Sequence, residues 1–133
     1  MLRECDKNHL DEIGLTYSIY EQGEITLLVL EGYELPVGCQ PAAVDVLIAI
    51  PSTYPDGALD MWWTYPYVVF APRGQAPVNT DVRQPYSGYT PDPARQWQRW
   101  SRHPQWRAGT DDLRSFLRAM RTTLETEAQR VAA

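Results

Sequence analysis

Cysteine, histidine and lysine are all scarce in this chain. Cys5 and Cys39 are the two cysteines among 133 residues. They are too few for a disulfide scaffold and are expected as free thiols in a reducing compartment. Histidine is limited to His9 and His103. Cys5 and His9 are spaced to share a helix face, but a structural zinc site would need nearly every thiol and imidazole in the chain, so no metal and no cofactor is expected. No apolar run approaches the ~20 residues that cross a bilayer; the longest, Val44 to Ile50, is interrupted by Asp45. The N-terminus has no apolar signal core, which gives the expectation of a cytoplasmic protein. A phosphate-binding glycine loop and a nucleophile elbow are both missing.

What is present fits a globular protein: 44% hydrophobic and 22% charged residues, with eleven prolines and eight glycines. Charge is unevenly placed. Residues 1–70 hold two bases, Arg3 and Lys7, against eleven acids, and residues 71–133 hold ten arginines against six acids. The two halves can neutralise each other across a fold, or the arginines can meet an acidic partner. A net charge of −5 and the absence of a known motif argue against nucleic acid.

Periodicity predicts a short helix within residues 3–13, a strand from Thr16 to Tyr20, a turn at Gln22-Gly23 and a strand from Ile25 to Leu30. Val44 to Ile50 reads as a third strand covered on both faces. Met61 to Val69 reads as a fourth, in which Pro66 calls for an edge position or an early end. Trp62 and Trp63 must point to opposite faces. Ala71 to Pro93 reads as a long loop, Ala94 to Trp100 as one or two helical turns. Thr110 is the expected N-cap of a last helix, whose core face carries Leu113, Phe116, Leu117, Met120, Leu124 and Val131. Arg114, Arg118, Arg121 and Glu125 line its other face. The fold class is therefore α+β, with the helix on one face of a four-stranded antiparallel meander.

Several ordered motifs resemble the ubiquitin-conjugating enzyme (UBC) superfamily. They are Leu35-Pro36, the strand Val44 to Ile50, the turn Pro51-x-x-Tyr54-Pro55, the run Asp60-Met61-Trp62-Trp63-Thr64, and Trp97-x-x-Trp100-Ser101-Arg102-His103-x-x-Trp106 with Gly109 and Asp111-Asp112-Leu113 after it. The resemblance covers roughly residues 35–120. It is closer still to a divergent bacterial branch, prokaryotic family E. It implies one UBC-like domain over residues 1–133, with a long active-site loop before the C-terminal helix. The implied partners are a ubiquitin-like protein, a ThiF-type activating enzyme and a JAB peptidase of the same pathway.

The resemblance also implies a nucleophilic cysteine and a His-Pro-Asn motif, and here the sequence departs. Thr64-Tyr65-Pro66-Tyr67 stands where His-Pro-Asn is usual. The cysteine position, counted back from Trp106, falls on Gln98. Ser101 and His103 are the candidates left in that segment. A serine hydroxyl needs a neighbouring base, and histidine titrates near neutral pH. The expectation is that Ser101 carries the modifier as an oxyester with His103 as base. Arg102 or Arg99 would stabilise an oxyanion, Trp100 and Trp106 would wall the site, and Asp111 or Asp112 would orient His103. Ser87, beside Tyr86 and Tyr89, is a weaker candidate. Three alternatives remain: a turn-capping serine with a loop histidine, a catalytically inert adaptor that binds a modifier or activating enzyme, and a plain structural module.

Overall fold

β-Branched and aromatic residues at alternating positions build the sheet on which everything else sits. A computed structural model describes residues 1–83 and 94–132. Its elements in chain order are α1 (Glu4–Glu12), β1 (Thr16–Gln22), β2 (Ile25–Glu34), β3 (Cys39–Gln40), β4 (Ala43–Pro51), β5 (Trp62–Tyr65), β6 (Val69–Phe70), β7 (Thr80–Val82), β8 (Gln98–Trp100) and α2 (Leu113–Ala132). The main sheet runs β1-β2-β4-β5-β8-β7, every pairing antiparallel. Gly23, at φ 60°, supplies the left-handed residue in the β1–β2 turn. The hairpin, the third strand and the early end of the fourth at Tyr65 agree with the sequence pattern.

Three expectations are corrected. Among the described residues the main sheet has six strands rather than four, because β7 forms inside the stretch read as loop and β8 inside the stretch read as helix. In β8 the residues alternate: Gln98 and Trp100 are fully buried while Arg99 between them is half-buried. That is the period of a strand, and pairing to β5 fixes it (Trp62 opposite Trp100, Thr64 opposite Gln98). The last helix is capped by Asp112, not Thr110. Asp112 Oδ1 accepts the Ser115 N–H at 3.1 Å, and Ser115 Oγ accepts the Asp112 N–H at 2.9 Å, a reciprocal box that satisfies two helix-start donors.

The core lies between the sheet and α2. Leu113, Phe116, Leu117, Met120, Leu124 and Ala128 pack on Leu28, Leu30, Val44, Val46, Ile48, Ile50, Trp62 and Trp100. Trp62 stacks on Trp100 at 5.9 Å between ring centroids and meets Phe116 edge-on at 6.1 Å. A second cluster on the opposite face joins Leu27, Val29, Leu47, Trp63 and Trp97. Trp62 and Trp63 thus serve different faces, as strand geometry requires. No described helix is long and apolar enough to cross a membrane.

The Pro51-x-x-Tyr54-Pro55 turn ties both helices to the sheet. The buried Tyr54 hydroxyl donates to Asp6 at 3.0 Å and accepts the Leu113 N–H at 2.7 Å. Arg3 grips both carboxylate oxygens of Asp6 at 3.1 Å. Burial pushes the Tyr54 phenol up, the Leu113 N–H opposes this, and the Asp6 charge adds to it. The hydrogen bond to Asp6 raises the Arg3 guanidinium in turn. Trp106 covers the same corner, donating to the Pro55 carbonyl at 3.0 Å with its ring tilted against Tyr54.

Candidate functional site

The register of β8 determines where the segment after it goes. Even-numbered residues face α2. Gln98 is fully buried, and its Oε1 accepts from the Thr64 hydroxyl at 2.9 Å and the Val68 N–H at 2.7 Å. Its Nε2 donates to the Val68 carbonyl at 3.1 Å. Trp100 is fully buried beside it and donates its indole N–H to Thr64 at 2.9 Å. The side chain at the cysteine position is therefore a strut between β5 and the segment leading to β6, with no route to solvent. Trp100 is core and cannot wall an open site, which corrects that expectation.

Odd-numbered residues turn to the other face. Arg99 and Ser101 line an open depression of about 360 Å³ with Asn79, Thr80, Asp81 and His103. Arg99 holds Asp81 through two hydrogen bonds of 3.1 and 3.0 Å. Ser101 is half-buried; its N–H donates to the Asn79 carbonyl at 3.3 Å and its hydroxyl to Met61 Sδ at 3.8 Å. Thioether sulfur is a weak acceptor, so that hydroxyl is held loosely. His103 is exposed, sits at φ 38° and contacts Asp60 Oδ1 through Nδ1 at 2.8 Å.

Ser101 and His103 are thus brought to one depression, and the partner of His103 is Asp60. Asp111 accepts the Arg107 N–H at 2.7 Å and Asp112 caps α2, so the orienting role expected of those two carboxylates is not theirs. Arg102 turns toward α2, meets Glu127 at 2.7 and 2.8 Å and donates to the Val78 carbonyl at 2.8 Å. Its guanidinium lies 5.1 Å from the Trp100 ring. With its charge neutralised on the helix side, it cannot serve an oxyanion in the depression. Trp106 is committed to the Tyr54 corner. Arg99 is the cation that does line the depression.

The sequence reading missed Asp60 as a partner. The β5–β8 ladder ends at Trp62 opposite Trp100, and Asp60 and His103 meet just beyond that end, which is a tertiary fact. Asn79, Thr80 and Asp81 lie in a proline-punctuated stretch whose strand has three residues, too short for periodicity to register. Ser87, Tyr86 and Tyr89 lie outside the described residues.

Cys39 is buried in β3 and Cys5 is exposed on α1; both are free. Burial pushes the Cys39 thiol up, which makes it a poor nucleophile. Neither cysteine belongs to the segment that carries Ser101. On the outer face of α2, Arg114 and Arg118 are exposed. No curated protein and no solved structure matches the sequence. The α+β architecture, with its antiparallel sheet and C-terminal helix, is compatible with an E2-like fold. The family description that does match, prokaryotic E2 family E, spans residues 2–127, and the chain belongs to that family.

Proposed function

We propose that the protein takes the E2 place in a bacterial ubiquitin-like conjugation pathway and carries the modifier as an oxyester on Ser101. One observation carries this reading: Ser101 and an aspartate-paired histidine, His103, line the same open depression. The whole chain acts as one UBC-like domain in the cytoplasm. Its partners are a ubiquitin-like protein, a ThiF-type activating enzyme that charges it, and a JAB peptidase acting in the same pathway.

In the transfer, Ser101 Oγ attacks the C-terminal carbonyl carbon of a modifier held as a thioester on the activating enzyme. An O–C bond forms and the C–S bond breaks. His103 takes the serine proton and returns it to the departing sulfur. The Met61 contact releases the hydroxyl at little cost. Backbone N–H groups and Arg99, once loosened from Asp81, are the donors available to the oxyanion.

Intact mass spectrometry tests this directly. The protein is incubated with ATP, the activating enzyme and the ubiquitin-like protein encoded beside it, then treated with mild hydroxide. The expected result is one added modifier mass, lost in hydroxide and not formed by Ser101→Ala. A hydroxide-labile adduct that survives in Ser101→Ala would falsify the serine assignment.

The buried Gln98 at the cysteine position favours a second reading, an inert adaptor that binds the modifier or activating enzyme without a covalent bond. It predicts complex formation by calorimetry with no added mass, even when the activating enzyme is fully charged.

A further inference from the structure

The geometry points to Asp60 as the positioning residue that sets the tautomer and aim of His103. The inference rests on the reading above that His103 is the base. A carboxylate only accepts hydrogen bonds, so the 2.8 Å contact from His103 Nδ1 to Asp60 Oδ1 requires the proton on Nδ1. In the neutral ring the lone pair is then left on Nε2. That is the nitrogen able to take the Ser101 proton. Without Asp60 the ring is free to carry its proton on Nε2, the tautomer that cannot accept at that atom. After proton uptake, the Asp60 charge also faces an imidazolium.

Two further features fit an orienting role better than an incidental surface pair. His103 holds φ 38°, a left-handed conformation uncommon for a residue with a β-carbon. Such strain persists where the surroundings over-determine it. Asp60 stands on a firm base, between the fully buried Leu59 and the strand that begins at the fully buried Trp62. Side chains of His103 and Asp60 are 61% and 52% exposed, so a contact of this kind adds little to stability. Its worth lies in where it holds the ring. In the carrier reading the carboxylate, the imidazole and the Ser101 hydroxyl take the roles of orienter, base and nucleophile around one depression.

The test reads the ring before it reads the reaction. Protein labelled with nitrogen-15 in histidine gives long-range proton–nitrogen correlations, assigned with a His9→Gln control because the chain has only two histidines. In the neutral ring, His103 is expected to show a protonated Nδ1 and a bare Nε2. Asp60→Ala is expected to move the signals toward the Nε2–H form. An Nε2–H ring in the unaltered protein, or identical ring signals in Asp60→Ala, overturns the inference. Kinetics then follow with the charged activating enzyme as donor. Asp60→Ala should slow Ser101-dependent adduct formation by about tenfold to a hundredfold, within the span of a positioned base. It should add nothing to the loss in His103→Ala, because it works through that ring. Equal rates in Asp60→Ala and the unaltered protein overturn the positioning role while the carrier reading stands. No adduct in the unaltered protein sinks the carrier reading instead, and the ring signals still decide whether Asp60 sets the tautomer.

Discussion

Gln98 and Ser101 are three residues apart and live under opposite rules. Gln98 is fully buried with every amide atom engaged by Thr64 and Val68. Ser101 opens onto a depression and holds one weak contact to sulfur. Burial multiplies the cost of an unmet polar group and removes access; exposure does the reverse. One short segment therefore supplies a stability network on one face and a reactive candidate on the other. Counting along the sequence finds the first when it looks for the second. Substitutions along this short segment separate the two roles.

The largest effect is expected at Gln98. Gln98→Ala strands the Val68 N–H and carbonyl in the interior and leaves the Thr64 O–H without its acceptor, and each unmet group costs about 1–3 kcal/mol. A loss of about 4 kcal/mol in chemical denaturation is expected. Gln98→Cys is the sharper version, because it places a cysteine where the count back from Trp106 puts one. In the folded protein that thiol should resist iodoacetamide and form no adduct with the modifier. Rapid alkylation under native conditions would show that the segment opens and that the division between the two faces is not firm.

Tyr54→Phe comes next. It removes the donor to Asp6 and the acceptor of the Leu113 N–H, for an expected loss of about 2 kcal/mol. This tyrosine is raised from its ordinary value of 10.0 by burial, partly offset by the Leu113 N–H. A raised value means the folded state holds the proton more tightly than the unfolded state. The contribution is complete below the ordinary tyrosine range and is lost as pH rises beyond it. The gap between the unaltered protein and Tyr54→Phe should therefore narrow above pH 10, by up to about 1.4 kcal/mol per pH unit for one proton. A gap that stays constant from pH 8 to 11 would count against the buried hydroxyl.

The difference between these positions also explains what could be read from the sequence. The Tyr-Pro turn, the two-faced strand β4 and the opposed Trp62 and Trp63 announced themselves through local pattern. Helix α2 did so through its 3.6-residue spacing. Its cap did not, because Thr110, Asp111 and Asp112 all favour that position and only the Ser115 reciprocal bond decides among them. Strand β8 was hidden because its three residues pair with β5, which is a tertiary fact. Ser101 and His103 stand out in the sequence by their place before Trp106, and the fold brings both to one depression. The Asp60 partnership does not, since the fold rather than spacing brings residues 60 and 103 together.

Ser101→Ala should barely touch stability, within about 0.5 kcal/mol, since only a weak contact to Met61 is lost. The whole effect is expected in the covalent adduct. A loss above about 2 kcal/mol in thermal or chemical unfolding would place Ser101 with Gln98 among the structural groups.

His103→Gly should have the smallest effect on stability and is the most telling. Glycine takes φ 38° without the β-carbon penalty, a gain of about 1 kcal/mol in the folded state. Against this stand the lost Asp60 contact, worth at most about 1 kcal/mol at this exposure, and the greater freedom of glycine in the unfolded chain. The terms nearly cancel, so the unfolding midpoint should hold while Ser101-dependent transfer falls. A residue kept in a conformation that glycine would hold as well is there for its imidazole. If His103→Gly instead unfolds the protein, the strain belongs to the fold, and the open face would be built by the same rule as the buried one.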